Sequence, residues 1–276
     1  MGMSIELGEI QETLLIPLYG RALDAQNRRS VLGDRRAAEF VEAIDYDFAK
    51  FSGPSLAGSV LRASIFDGYV EAFLQQHPSA TVVDVGCGLS TRFDRLDNGV
   101  VRWFDIDLED TMALRHRFFE EHDRYTMITA SIFGTDWYDV VRPEPDIPVL
   151  LLSEAVLLYF PESEVRAVLA RLADAFRGCR IAFDTAGPVM MNNQDRNPVF
   201  KAVTARMQWT CADPAQLQTL GLRLRESRTF ASPPPHVGRR WPAKYRYGLK
   251  LLGWAPPVST YKMNLFDTQG ALPPQW

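Results

Sequence analysis

The sequence predicts an α/β fold built on a doubly wound, mostly parallel sheet, and three observations predict it. Runs rich in β-branched and apolar residues alternate with amphipathic helical stretches from Thr81 onward. One of them, Val149 to Ser153, is apolar throughout, as in a central strand covered on both faces. The first, Thr81 to Val85, leads directly into Gly86-Cys87-Gly88, and two residues without a Cβ let the chain turn sharply where a strand ends. Strands separated by helices of this length form a parallel sheet.

The elements follow in order. From Thr13 to Gln76 apolar residues recur at helical spacing, at Phe40, Val41 and Ile44 and again at Ile65, Tyr69, Val70, Phe73 and Leu74, broken by Gly53-Pro54. This stretch reads as an N-terminal helical cap over residues 1–78, ahead of a main domain over 79–276. Strand Thr81 to Val85 is followed by a helical turn near Arg92 to Leu96, a strand Val101 to Ile106, a helix from Leu108 to Glu121 and a strand Tyr125 to Ala130. Beyond Pro143, Pro145 and Pro148 comes the strand Val149 to Ser153. Pro161 opens a helix with an apolar side of Val165, Val168, Leu169, Leu172 and Phe176, and Gly178 stops it. Strand Arg180 to Asp184 follows. The polar, methionine-bearing segment 187–211, with Met190, Met191, Asn192, Asn193 and Met207, reads as a lid at the carboxyl end of a central strand. Asp213-Pro214 is an N-cap and first-turn proline of a helix ending near Gly221. A strand Arg223 to Thr229 and an antiparallel strand Ser259 to Asp267 bring the sheet to seven.

Composition narrows the function. A chain of 276 residues accommodates one large α/β domain with a cap, and a net charge of −4 gives no strong field for nucleic acid or anionic lipid. The 3 cysteines, Cys87, Cys179 and Cys211, lack paired spacing, and the 4 histidines, His77, His116, His122 and His236, lack metal-ligand spacing. No metal site is expected. The acidic N-terminus is unlike a signal peptide, and no apolar run approaches the roughly 18 residues of a membrane span. The expectation is a cytoplasmic protein acting on a small molecule.

The glycine turn carries the chemistry. Gly86 and Gly88 leave bare backbone for a flat nucleoside, and the next strand ends in Asp105 and Asp107, either of which can take both hydroxyls of a ribose. A dinucleotide site needs a small residue three places after the second glycine, and here that residue is Thr91. Asp84, just ahead of the turn, repels a pyrophosphate. It can instead anchor an ammonium directly or through water, or cap the adjacent helix. These features favour S-adenosylmethionine over NAD. Glu154, at the mouth of the apolar strand, is too costly to bury without a cation or donor, and the ammonium of a sulfonium ligand would serve. Tyr159 lies nearby as core or as an aromatic face for a sulfonium. The run Pro233, Pro234, Pro235, His236 with Arg239 and Arg240 reads as an exposed loop or as a cationic clamp for an acid.

The blocks GCGLSTRFDRL, WFDIDLEDTMALRHRFF and LLLSEAVLLYFPESEVRAVL, in that order, resemble the leucine carboxyl methyltransferase family. The resemblance spans about Asp45 to Thr229. It looks closest to the bacterial branch of polyketide carboxyl O-methyltransferases of the tetracenomycin-pathway type. The resemblance implies a class I S-adenosylmethionine-dependent methyltransferase sandwich with an N-terminal helical cap. It places the glycine loop on Gly86 and Gly88 and the ribose clamp on Asp105 or Asp107, Asp107 matching the more constant position. Its motif falls on Ser153, Glu154, Val156, Leu157 and Tyr159, with Glu154 a cofactor contact, and its carboxylate-binding arginine falls on Arg62. The acid that meets adenine is replaced by Ser131, so adenine recognition would rest on backbone around Ser131 and Ile132.

The expected activity is O-methylation of a carboxylate, or of a phenolic hydroxyl, on a small aromatic or polyketide-like acid. A carboxylate, with pKa near 4, is already ionised at pH 7 and needs no base, whereas a phenol would call on His116, His122 or His236. Tyr159 and His236 are the catalytic candidates. Three rivals stand beside this reading: methylation of a protein C-terminal carboxylate, which predicts a wide, shallow mouth; an NAD-binding oxidoreductase; and a non-catalytic cofactor-binding module.

Overall fold

A computed structural model describes residues 2–141 and 147–269. Helices α1 (Leu15–Ala25), α2 (Arg35–Ala43) and α3 (Pro54–Gln76) precede the sheet. The break before α3 is Gly53, held at φ +95°, a conformation without penalty only for glycine, and Pro54 starts the helix where its missing N–H costs nothing. Helix α3 is apolar on nearly all sides because it is covered on both: α1 packs on one side, and the sheet on the other.

The sheet and its connections follow as β1 (Thr81–Val85), α4 (Arg92–Leu96), β2 (Arg102–Asp107), α5 (Glu109–Arg115), β3 (Tyr125–Thr129), α6 (Tyr138–Val141), β4 (Val149–Ser153), α7 (Glu162–Ala175) and β5 (Arg180–Ala186). Two short helices, α8 (Pro188–Asn192) and α9 (Pro198–Lys201), lie in the segment after β5. Then come β6 (Leu222–Arg228), α10 (Pro235–Gly238), α11 (Ala243–Leu251), α12 (Pro256–Ser259) and β7 (Tyr261–Thr268). The strand order is β3-β2-β1-β4-β5-β7-β6, parallel except for β7, which inserts antiparallel between β5 and β6. A doubly wound, mostly parallel, seven-stranded sheet is therefore what forms. The order reverses between β1 and β4, the place where such sheets open a crevice beyond their carboxyl ends.

Several boundaries differ from expectation. Helix α5 stops at Arg115, six residues before Glu121, and Phe118 and Phe119 beyond it pack on Phe40, tilted and edge-on, at 4.2 and 5.4 Å between ring centroids. The segment after Asp213 is a 3₁₀ helix (Pro214–Leu220), capped by the Asp213 carboxylate accepting from Ala215 N and ended by Gly221 at φ +79°. Strand β6 starts one residue earlier than expected. Pro143 and Pro145 lie outside the described residues, while Pro148 leads into β4 with its carbonyl accepting from Thr81 N.

Candidate active site

Beyond the carboxyl ends of β1, β2 and β4 lies a cavity of about 830 Å³, large for a single small-molecule site. Its lining comes from the glycine turn, from α1 and α3, from the segment 189–207 and from α11 and α12. Gly86, Gly88, Asp84, Asp107, Ser131, Ile132, Glu154, Arg62 and Tyr159 all face it. Among the described residues, no helix is long and apolar enough to cross a membrane, and no cluster of histidine, cysteine and acidic residues could hold a metal ion.

The turn after β1 has the geometry its glycines permit. Gly86 sits at φ +76° and Gly88 at +52°. A Cβ on Gly86 would meet Val156 Cγ2 at 2.1 Å, so the chain after β4 approaches too closely for any side chain. The loop is fixed from β2: Gly88 N donates to Asp107 Oδ2 at 2.8 Å and Leu108 N to Oδ1 at 2.8 Å. Burial raises the Asp107 carboxyl, and these backbone donors oppose the rise. Nearby, the buried Thr111 hydroxyl faces the cavity with no hydrogen-bond partner.

Asp105 corrects the sequence reading, which kept it beside the better-matching Asp107 as a candidate ribose clamp. The side chain lies one residue pair deeper on the same face of β2, outside the cavity, and is fully engaged in the core. Its carboxylate accepts from Trp103 Nε1 at 2.8 Å and Tyr125 OH at 2.6 Å and pairs with Arg115. No oxygen of it reaches a ligand.

The second correction concerns the cations. Glu154 does not wait for a ligand: Arg62 Nε lies 2.7 Å from Oε1, and Arg92 binds Oε2. Burial raises the Glu154 carboxyl, but the two guanidiniums prevail and hold it below its ordinary value. Asp84 neither caps α4 nor stands free, since Arg92 Nη1 lies 2.5 Å from its Oδ2. Burial pushes the Asp84 carboxyl up to about 6 against the pull of Arg92, with Asp105 and Glu154 adding to the rise. Arg92 also reaches Asp67 on α3 at 2.8 Å, and Arg95, one turn on, pairs with the same Asp67 at 2.9 Å.

The network extends to both sides. Thr91 Oγ1 donates to Asp34 Oδ2 at 2.6 Å, and Arg21 on α1 pairs with Asp34 at 2.9 Å while donating to Leu89 O at 2.7 Å. That is why a small residue does not stand at position 91. On the far side, Arg62 donates to Tyr261 OH at 3.2 Å and lies 3.8 Å from Asp184. Asp184 accepts from Ala155 N at 2.9 Å and from Tyr261 OH, which stabilises Ala155 at φ +58°, an unusual conformation for a residue with a Cβ. Burial pushes the Asp184 carboxyl up to about 6, outweighing Arg62.

Where the segment 189–207 and α11 form the wall, Val199, Phe200, Met207 and Leu249 stand beside the polar Asn193, Gln194, Arg196 and Asn197, whereas Leu14 packs close to Gly88 at the glycine turn. The segment 187–211 closes on itself there through Gln194, which binds both the carbonyl and the N–H of Met207 at 3.0 and 2.9 Å. It is tied to the start of α3 by Asn197 Nδ2 donating to Ser55 Oγ at 2.7 Å. Tyr159 is buried beside Thr13, and burial raises its phenol above the ordinary value.

The histidine candidates fall elsewhere. His236 Nε2 lies 3.2 Å from Gly68 O, where α10 packs on α3, and neither it nor His116 nor His122 lines the cavity. Arg240 forms a two-bond pair with Glu71 on the exposed side of α3, and Arg239 also lies outside the lining, so this loop is no clamp over the site. Trp137 is core, its Nε1 donating to Ser131 O at 3.1 Å. Sequence reasoning missed Arg92, Arg95, Arg21, Asp34, Asp67 and Asp184. Two signals were available: paired arginines one turn after the glycine loop, and Asp184 set in an apolar strand just as Glu154 follows one.

The model of the family described as leucine carboxyl methyltransferase matches residues 15–173. The tetracenomycin polyketide synthesis O-methyltransferase TcmP of Streptomyces glaucescens is 33% identical over 239 residues, covering 85% of this chain and 88% of the relative. The S-adenosyl-L-methionine-dependent methyltransferase dpfgK of Gibberella zeae is 30% identical over 254 residues, 82% of this chain and 85% of its own. Among solved structures, a DUF574 family protein of Streptomyces avermitilis superposes with a TM-score of 0.61 at 13% identity, covering 93% of this chain and 97% of that one.

Proposed function

The chain belongs to the leucine carboxyl methyltransferase family, and from that premise we propose that it methylates a carboxylate of a small polyketide-like or aromatic acid, with S-adenosylmethionine as methyl donor. The observation that carries the reading is the division of one cavity into two chemistries. At the glycine-loop end, Asp84, Asp107 and Glu154 line the cavity with Arg21, Arg62, Arg92 and Arg95, and the carboxylates Asp34, Asp67 and Asp184 behind the lining pair with those guanidiniums, so that the ion-pair network as a whole carries more carboxylates than guanidiniums, a balance suited to a cationic cofactor. Where the segment 189–207 and α11 form the wall, apolar side chains are interrupted by amides and by Arg196, and among the described lining residues none is histidine.

The residues fit an adenosyl group. Gly86 and Gly88 line the cavity, Asp107 faces it with lone pairs to spare, and the Thr111 hydroxyl lacks a partner among the described residues that a polar ligand would supply. In the proposed site Asp107 takes the ribose hydroxyls and the backbone at Ser131 and Ile132 meets the base. Glu154 receives the ammonium, and Arg62 turns a remaining donor to the carboxylate. Asp84 acts behind them by holding Arg92. When bound, S-adenosylmethionine supplies a methyl carbon that leaves sulfur, with the bonding pair staying on sulfur, as an acceptor oxygen bonds to it.

The chain's own contribution is alignment and exclusion of water, worth roughly 7 to 11 kcal/mol when geometry is tight. Tyr159, with its phenol raised by burial, stays protonated and serves as a donor and wall, not a base. The helices over residues 1–78 would act as the cap and 187–211 as the lid of a small-molecule site. A protein tail would call for a wide mouth, and an NAD site for a small residue where Thr91 is tied to Asp34. Incubation with methyl-labelled cofactor and a panel of aromatic acids should give label released as methanol by mild base, the mark of an ester. Base-stable label, or transfer to phenols that lack a carboxyl, would favour the phenolic reading. No transfer to any acid in a protein that binds S-adenosylhomocysteine would favour the non-catalytic module.

A further inference from the structure

Every guanidinium that lines the glycine-loop end of the cavity is matched to a carboxylate: Arg21 to Asp34, Arg62 to Glu154, Arg92 to Asp84 and Arg95 to Asp67. One further cation lines the cavity, and it is different. Arg196 stands between α8 and α9 with no carboxylate partner among the described residues, and its side-chain contact is Nη1 donating to Asn193 Oδ1 at 3.2 Å. Its sequence neighbour Asp195 is committed elsewhere, to Arg206 at 2.7 Å. Around it the lining is neutral: Met190, Asn193, Asn197, Val199 and Phe200. Arg196 is exposed at the cavity wall and keeps four of its five N–H donors without a protein acceptor among the described residues, and a planar, two-oxygen anion is the partner that guanidinium geometry fits best.

We propose that Arg196 is a specificity-determining residue that receives the acceptor as an anion, through the acceptor's carboxylate, at the lid end of the cavity. The inference rests on the methyltransferase reading above and adds to it the group that selects acids over neutral aromatics. It also accounts for release. As the carboxylate oxygen gains the methyl carbon and the bonding pair remains on sulfur, an anion and a sulfonium become a neutral ester and a neutral thioether. The ester offers Arg196 no charge, so the product loses the contact that brought the acid in. The segment that bears Arg196 is fastened by Asn197 to Ser55 and by Gln194 to Met207, so the guanidinium is presented from a fixed loop and not from a free arm.

The test is calorimetric titration of the protein, saturated with S-adenosylhomocysteine, with 2-naphthoate and anthracene-2-carboxylate and with their neutral carboxamides. Wild type should bind at least one acid and prefer it to its amide by tenfold or more, as expected for a charge-assisted bidentate contact. Arg196→Gln should abolish that preference, Arg196→Lys should retain part of it, and the affinity of both variants for S-adenosylhomocysteine should match wild type. Equal binding of acid and amide by wild type, no binding of either acid up to millimolar concentration, or an acid preference untouched by Arg196→Gln would overturn the proposal. Failure of S-adenosylhomocysteine itself to bind wild type would instead strike the cofactor reading on which it rests.

Discussion

The two ends of the cavity are built by opposite means. At the glycine-loop end, position is fixed by charge: Arg92 alone touches carboxylates from α3, β1 and the turn after β4. At the end walled by the segment 187–211 it is fixed by short helices and amide side chains, Gln194 and Asn197. The first arrangement holds fixed polar groups for one invariant cofactor. The second leaves shape and one cation to choose among acceptors.

The largest expected difference is in stability. Arg92→Leu should lower unfolding free energy by about 3 to 5 kcal/mol in urea titrations, because Asp67, Asp84 and Glu154 are left buried without their shared cation. Asn197→Ala at the lid end, losing one cap and one hydrogen bond, should cost about 1 kcal/mol and leave S-adenosylhomocysteine affinity unchanged. Equal losses at the two ends would remove the contrast.

Cofactor affinity should separate the two acids of β2. Asp107→Ala should weaken S-adenosylhomocysteine by about 1 to 3 kcal/mol with modest loss of stability. Asp105→Asn should show the reverse, because it strands Arg115 and leaves the cavity intact. If Asp105→Asn weakened the cofactor more than Asp107→Ala did, the assignment of the ribose clamp would be wrong.

A smaller effect sharpens the electrostatics. Asp184 is pushed up to about 6 from its ordinary value of 3.8. A carboxyl raised in the folded state binds its proton more tightly there, so its stabilising contribution is fully present below about pH 4 and lost as pH rises through about 6. Asp184→Asn lacks this titration. Its stability relative to wild type should therefore improve by about 1 kcal/mol between pH 5 and pH 7.5, read as the difference in urea midpoints. A difference that stays constant across that range would mean that Arg62 and Tyr261 hold the carboxyl near its usual value.

What the sequence disclosed follows the same division. The mostly parallel seven-stranded sheet could be anticipated because strand-forming runs alternate with helical stretches and the glycines at 86 and 88 punctuate the first strand; β7 shows part of its alternation, with Lys262 less buried between Tyr261 and Met263. The cofactor end was legible wherever one motif held the residue, as with Asp107 and Glu154. It was illegible where two distant segments meet, since nothing in the spacing of Arg21, Asp34 and Thr91 announces that they touch. Asp105 and Asp107 share a face and differ only in depth, which a periodicity of two does not distinguish. Arg196 lay in a loop, where position depends on packing partners that periodicity never names.

The most direct measurement is calorimetric titration of the purified protein with S-adenosylhomocysteine, with NAD in parallel. Micromolar binding of S-adenosylhomocysteine and none of NAD is expected. Binding of NAD alone, or of neither, would contradict the claim that the charged end of the cavity is a site for an adenosyl sulfonium cofactor.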